Sequence, residues 1–223
     1  MKNYKKLIFL SSLLLTILFV TSVSAKESKI VLLDPGHGGK DGGAVISDGT
    51  IEKDINLQIC LKLRDELKKL GFTVLMTREK DEGLGKAISG KWTKRGDLNY
   101  RCDLKKTSNC DLFISIHQNT YPEEYCRGTQ IWYADNIKSE ELANMIQREV
   151  KEKLDATNRR VSKAAKDDYK VLRCEDIPSI LIEGGFLTNT EERIKLKDSK
   201  YQQAFAKLIA DDVNIFFNTI GKE

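Results

Sequence analysis

The chain has 223 residues, with 37 basic and 33 acidic side chains and a formal net charge of +4. Such a small surplus of positive charge argues against a nucleic-acid-binding protein. The length fits a single domain, which can bury a full core without disulfide support.

Residues 1–25 have the three parts of a secretory signal peptide. Three lysines come first, an apolar run follows over residues 7–20, and small residues end at Ala25. Cleavage there would leave residues 26–223 as one folded domain. The alternative is a retained membrane anchor, because the apolar run approaches the length that spans a bilayer. Both interpretations predict an exported protein.

Five cysteines follow the signal segment, an odd number for an exported protein. The sequence has no CxxC motif of the kind that binds metals, and a disulfide is allowed but not required. Cys60 falls on an apolar helix face and is expected in the core. The five positions are Cys60, Cys102, Cys110, Cys126 and Cys174.

The rest of the chain alternates short apolar runs with amphipathic stretches. The predicted strands are 29–34, 72–77, 111–117, 128–134 and 178–185, and the predicted helices are 52–70, 98–106, 139–154 and 201–217. The segment from Tyr169 to Arg173 fits either a short strand or a loop. This alternation predicts a single α/β domain with a mostly parallel central sheet of about five to six strands, flanked by helices on both faces.

The only two histidines both come where a predicted strand ends. His37 lies three residues after the strand 29–34, and His117 is the last residue of the strand 111–117. In a parallel sheet the carboxyl ends of the strands share one rim, where ligands bind. A histidine at a strand end is often just a polar residue at the edge of the core. Two of them on one rim, with none elsewhere, favour a functional site.

Two histidines and one carboxylate are a common ligand set for a catalytic zinc ion. Glu52 begins the helix that follows the first strand and its loop, so it should face the same rim. Alone, it would be interpreted as an acid placed favourably at a helix N-terminus. Asp34 is the other candidate ligand, but at the end of its strand it is better suited to orient a histidine or cap the loop.

Glu183 follows the apolar run of the last predicted strand and precedes two glycines. A buried carboxylate is costly unless it has a partner or a chemical task. It is interpreted as a general base that moves a proton from metal-bound water to a leaving nitrogen. The alternative is a structural acid, satisfied by backbone amides or by an arginine such as Arg101.

Four stretches together resemble a known family. They are "LLDPGHGGKDGGAV", "EKDINL", "DLFISIHQN" followed by "GTQIWY", and "PSILIEGGFLTNTEE". In this order and spacing they are similar to the zinc-dependent N-acetylmuramoyl-L-alanine amidases of the Amidase_3 type, over nearly all of the chain after the signal segment. The resemblance implies one Zn²⁺ per chain, held by His37, Glu52 and His117, with Glu183 as the catalytic residue.

The resemblance also implies peptidoglycan as the substrate, with Arg101 and Asn119 as candidate substrate contacts. Gln118 departs from the family, where many members have alanine after the second histidine. A signal segment followed by a bare catalytic domain is most similar to the CwlD-like sporulation amidases of Gram-positive spore formers, which help to make muramic δ-lactam in the spore cortex. This implies a location in the cell wall or the forespore intermembrane space, and a possible accessory protein partner.

Two other functions stay open from the sequence. A zinc peptidase that cuts within the stem peptide would use the same ligands. A non-catalytic peptidoglycan-binding protein would keep the fold without the chemistry, although all four site residues are present.

Overall fold

The computed structural model describes residues 28–85 and 90–219, so the predicted signal peptide, residues 1–25, lies outside the described residues. The strands are β1 (Ile30–Pro35), β2 (Thr73–Met76), β3 (Leu112–Asn119), β4 (Gln130–Tyr133), β5 (Lys163–Ala164) and β6 (Ser179–Phe186). The helices are α1 (Glu52–Lys69), α2 (Lys94–Thr107), α3 (Ile137–Lys153), α4 (Lys170–Arg173), α5 (Thr190–Lys197) and α6 (Ser199–Thr219).

The six strands form one sheet in the order β2-β1-β3-β6-β4-β5. The neighbours β2, β1, β3 and β6 all run parallel, whereas β4 pairs antiparallel with β6 and β5 pairs parallel with β4. The prediction of a mostly parallel sheet is confirmed. Because β4 is reversed, its first residues lie at the same rim as the last residues of β3 and β6.

Helices cover both faces of the sheet, as predicted. Helices α1, α3 and α6 pack on one face over the larger core cluster, which includes Ile180 and Ile182 of β6. Helix α2 and the segment around α4 pack on the other face, over a smaller cluster that includes Leu181. All residues of β6 are buried, which explains its continuous apolar run. Among the described residues, no helix has the length and apolar character to cross a membrane.

The prediction for the segment from Tyr169 to Arg173 is wrong, because residues 170–173 form the short helix α4. In a strand, neighbouring side chains point to opposite faces. Here Val171 and Leu172 are both buried in the same core cluster, which one helical turn allows. Lys105 of α2 stabilises the turn by donating to the carbonyl oxygens of Val171 and Glu175 at 3.2 Å.

Two short elements have no counterpart among the predicted elements. Strand β5 has two residues and α5 has eight, too few for either to show a clear periodic pattern. Helix α2 also begins at Lys94 rather than Leu98, because Thr93 caps it and accepts a hydrogen bond from the Gly96 amide.

Candidate metal centre

His37 lies in a tight loop directly after β1. Its backbone has φ = 62°, a left-handed conformation unusual outside glycine. The Gly36 amide donates to the Ile116 carbonyl at 2.9 Å, and Arg101 donates to the His37 carbonyl at 2.8 Å. These bonds hold the strained turn, so the imidazole has a fixed position above the rim of the sheet.

Two glycines make room for the cluster. A Cβ atom on Gly36 would lie 2.2 Å from Nε2 of His117. A Cβ atom on Gly43 would lie 2.5 Å from Oε2 of Glu52 and 2.6 Å from the His37 ring, and Gly43 has φ = 66°. The glycine-rich sequence around His37 therefore lets backbone and side chains approach closely, as the sequence suggested.

Glu52 is the first residue of α1 and is only 4% exposed. Its Oε2 accepts a hydrogen bond from the Ala44 amide at 2.9 Å, and its Oε1 accepts one from the Gln118 amide at 3.1 Å. Burial acts to raise the pKa of this carboxyl, but hydrogen bonds with His117 and His37 outweigh it and hold the pKa far below its usual range. Glu52 is therefore ionised at neutral pH, as a metal ligand must be.

The three predicted ligands converge on one point. Oε1 of Glu52 lies 3.2 Å from Nε2 of His37 and 3.0 Å from Nδ1 of His117. One possible ligand atom from each residue lies within 4.8 Å of the other two. A tetrahedral zinc ion with ligands at about 2.1 Å separates them by about 3.4 Å. Two imidazoles and an ionised carboxylate at this spacing fit a zinc ion.

Asp41 supports the cluster from outside. Its Oδ2 lies 3.0 Å from Nδ1 of His37, on the opposite side of the ring from Glu52. A carboxylate in this position fixes the tautomer and the orientation of a ligating histidine. Sequence reasoning missed Asp41, although its position four residues after His37 within the glycine-rich loop was a usable signal.

Glu183 lies on β6, directly beside His117 of β3 in the sheet register. Its side chain is nearly buried, at 7% exposure, and its Oε2 has no hydrogen-bond partner among the described residues. Oε1 accepts one long hydrogen bond, 3.5 Å, from the hydroxyl of Tyr169. Burial raises the pKa of this carboxyl above its usual range. Arg101 does not satisfy this carboxylate, because it binds Asp34, Asp97 and the Pro35 carbonyl instead, and the role of Glu183 as a base stays a prediction.

Arg101 is buried, and its guanidinium group forms ion pairs and hydrogen bonds within the protein. It pairs with Asp34 and with Asp97 (2.7 Å) and also donates to the Pro35 carbonyl at 3.0 Å. It therefore holds the loop that carries His37, and its predicted contact with substrate stays a prediction.

Asp34 was expected to orient a histidine or to cap the loop, and its hydrogen-bond partners do not include a histidine. Its carboxylate instead accepts hydrogen bonds from Arg101, Thr77 and Ser115. Ser115 lies on β3, Arg101 on α2 and Thr77 directly after β2, so Asp34 connects these three parts of the chain.

Asn119 ends β3, two residues beyond His117. Its side-chain oxygen accepts a hydrogen bond from the Thr120 amide at 2.8 Å, which folds the side chain back on its own loop. The structure brings His37, Glu52, His117 and Glu183 together, but gives Asn119 no comparable role. Its substrate contact stays a prediction.

A cleft of about 290 Å³ opens beside the two histidines. Its lining includes Lys94 and Leu98 of α2, together with Tyr169 and Arg173 from the segment around α4. Tyr169 packs against Trp132, with ring centroids 5.4 Å apart. The sequence pattern gave no reason to select Tyr169, because its role depends on the path of the loop before α4.

The family model for N-acetylmuramoyl-L-alanine amidase matches residues 31–214. The chain belongs to this family. It is 36% identical over 200 residues to the germination-specific N-acetylmuramoyl-L-alanine amidase of Bacillus subtilis, an alignment covering 87% of this chain and 82% of that protein. The predicted enzyme class, an N-acetylmuramoyl-L-alanine amidase, is confirmed.

Two solved amidase structures are similar to the fold described here. The CwlD amidase of Clostridioides difficile, determined in complex with the GerS lipoprotein, has 40% identity and a TM-score of 0.81, and the match covers 86% of this chain and 99% of that one. An N-acetylmuramoyl-L-alanine amidase of Clostridium difficile 630 has 31% identity and a TM-score of 0.75, with coverage of 86% and 98%.

Proposed function

We propose that this amidase uses zinc to hydrolyse the amide bond between the lactyl group of N-acetylmuramic acid and L-alanine in peptidoglycan. The observation that carries the proposal is the convergence of His37, Glu52 and His117 next to Glu183, whose Oε2 has no partner in the part of the chain that the structure describes. Three ligands leave one position of a tetrahedral site open, as catalytic zinc sites require.

His37, Glu52 and His117 would hold one zinc ion per chain. When bound, zinc supplies a Lewis acid that acidifies water and polarises a carbonyl oxygen at neutral pH. Asp41 keeps His37 in the tautomer that leaves its other ring nitrogen free to coordinate. The hydrogen bonds from the Ala44 and Gln118 amides keep the Glu52 carboxylate ionised and fixed.

Glu183 acts as the general base and then as the general acid. Its Oε2, which has no partner among the described residues, accepts a proton from the attacking water and delivers it to the alanine nitrogen as the C–N bond breaks. The raised pKa favours the first step, because a carboxylate with a higher pKa is a stronger base, and the protonated carboxyl is then the proton donor for the second step. The Tyr169 hydroxyl fixes the orientation of the carboxylate through Oε1.

The biological role that we propose is maturation of the spore cortex, including the formation of muramic δ-lactam, by an enzyme exported to the cell wall or the forespore intermembrane space. The similarity to the germination-specific amidase of B. subtilis supports this role. An accessory protein partner is part of the proposal, since the similar CwlD amidase of C. difficile was determined with the GerS lipoprotein.

Digestion of purified peptidoglycan by the zinc-loaded protein, followed by mass spectrometry of the fragments, tests the proposal. We expect free stem peptides that begin with L-alanine and glycan chains whose muramic acid lacks a peptide. Fragments cut inside the stem peptide would contradict the proposal and identify a peptidase. The variant Glu183→Gln, purified and loaded in the same way, is the control for contaminating hydrolases.

A further inference from the structure

Two cysteines lie close together where α2 meets the segment around α4. Cys102 is on α2, and Cys174 directly follows α4. The Cys102 thiol donates to the Lys170 carbonyl at 3.9 Å, and the Cys174 thiol donates to the Val171 carbonyl at 3.6 Å. The two thiols therefore lie next to consecutive carbonyl groups of one helical turn, close enough to influence each other's ionisation.

A buried lysine lies beside this pair. Lys105 is one turn along α2 from Cys102, and its ammonium group donates to the carbonyls of Val171 and Glu175 at 3.2 Å. The polar interaction with Cys102, aided by the charge of Lys105, outweighs burial and lowers the pKa of Cys174 to about 7. The same interaction, with burial, raises the pKa of Cys102. This is the arrangement of a dithiol in which one sulfur ionises first.

The other three cysteines have different surroundings. Cys60 is completely buried in the core cluster on the opposite face of the sheet. Cys126 lies in the loop before β4. Cys110 is 5% exposed, and its thiol donates to the Lys105 carbonyl at 3.8 Å. Cys102 and Cys174 are both partly exposed, so a reagent in solution can reach them.

We propose that Cys102 and Cys174 form a disulfide bond that ties α4 to α2. The oxidant is a second disulfide, carried by a small molecule or by a thiol-oxidising protein. The Cys174 thiolate attacks one sulfur of that disulfide, forms a mixed disulfide and releases the first thiol of the oxidant. The Cys102 thiolate then attacks Cys174 and releases the second thiol. The chain loses two protons and two electrons, and the oxidant gains them.

The bond would fix one wall of the catalytic cleft. Tyr169 immediately precedes α4 and reaches Glu183, while Lys170, Val171 and Arg173 line the cleft. In the reduced protein, α4 is a single turn joined to α2 by side-chain contacts and hydrogen bonds. A covalent bond between the two also closes a long loop, residues 102–174, which restricts the unfolded chain.

The test uses the full chain equilibrated in buffers that range from reduced to oxidised glutathione, with free thiols then blocked by alkylation and the protein digested for mass spectrometry. We expect one cross-linked peptide pair, containing Cys102 and Cys174, under oxidising conditions. We also expect the melting temperature of the oxidised protein to exceed that of the reduced protein by about 5 °C or more.

Cys102→Ser and Cys174→Ser should each abolish the cross-link and the shift in melting temperature, so the test does not depend on one variant. Cys126→Ser is the matched control and should keep both. Alkylation of Cys102 and Cys174 at every glutathione ratio would overturn the proposal, as would a link between Cys102 and Cys110. These readouts do not involve activity, so they stand or fall separately from the proposed zinc chemistry.

Discussion

Two buried glutamates in the same site have opposite surroundings. Glu52 contacts both histidines and accepts hydrogen bonds from the Ala44 and Gln118 amides. Glu183 accepts one long hydrogen bond, and its second oxygen has no partner among the described residues. The pKa of Glu52 is lowered and that of Glu183 is raised. The difference suits the two tasks that we propose, since a metal ligand must stay ionised and a general base must be able to take up a proton.

Removal of a ligand should have the largest effect. His117→Ala deletes one of three donors, so we expect the zinc content, measured by elemental analysis, to fall from about one ion per chain to near zero. Amidase activity should fall by about 10³-fold or more, because water is no longer activated. A His117→Ala protein that keeps full zinc and turnover would remove His117 from the ligand set.

The variant Glu183→Gln should separate the two tasks. It keeps the shape of the side chain but cannot accept a proton, so we expect kcat to fall by about 10³-fold with the zinc content unchanged. It should also stabilise the metal-free protein at neutral pH, because an ionised carboxylate buried without a full set of partners is replaced by a neutral amide. Normal turnover by Glu183→Gln would contradict the proposed base.

Asp41→Asn tests whether the Asp41 carboxylate orients His37 for zinc binding. Loss of the carboxylate that orients His37 should weaken zinc affinity by about 10- to 100-fold, measured by competition with a chelating dye. At saturating zinc, kcat should change far less than in Glu183→Gln. Asp168→Asn is the matched control, because Asp168 lines the same cleft. Equal zinc affinity in Asp41→Asn and the wild type would show that Asp41 does not orient the ligand.

Asp212 gives a comparison for Glu183 outside the site. It is a buried acid on α6 whose Oδ2 also has no partner among the described residues. Burial, with the nearby charge of Glu149, raises its pKa from 3.8 to about 7. Because the folded state holds this proton more tightly than the unfolded state, its contribution to stability is present below about pH 4 and is lost as the pH rises through 7.

Asp212→Asn should therefore raise the free energy of unfolding at pH 8 by about 1 to 3 kcal/mol, and by much less at pH 4. Denaturant unfolding at the two pH values measures this. Zinc content and kcat should match those of the wild type, unlike those of Glu183→Gln. A stabilisation equal at both pH values would show that the charge of Asp212 is not its cause.

The sequence predicted those parts of the molecule that depend on long, strongly patterned segments. The apolar runs predicted β1, β3 and β6, and the amphipathic pattern predicted α1. The ends of these elements define the rim of the sheet, where His37, Glu52, His117 and Glu183 lie close together. The rule that parallel strands end at one edge of the sheet was enough to predict that these residues lie close together.

What the sequence did not predict depends on contacts between loops. Tyr169 reaches Glu183 only because a single helical turn follows it, and short segments have no decisive periodicity. The partners of Arg101 were also missed, since pairing with Asp34 depends on how α2 lies over β1. The antiparallel direction of β4 was also not predicted, because a buried strand has the same apolar pattern whether it runs parallel or antiparallel to its neighbour.

A crystal structure of the zinc-loaded protein, with anomalous scattering recorded at the zinc absorption edge, tests the central claim most directly. The account predicts one peak per chain, within about 2.0 to 2.2 Å of an imidazole nitrogen of His37, a carboxylate oxygen of Glu52 and an imidazole nitrogen of His117. The Glu183 carboxylate should face the peak without coordinating it. A peak at any other place, or one that lacks either histidine, would contradict the account.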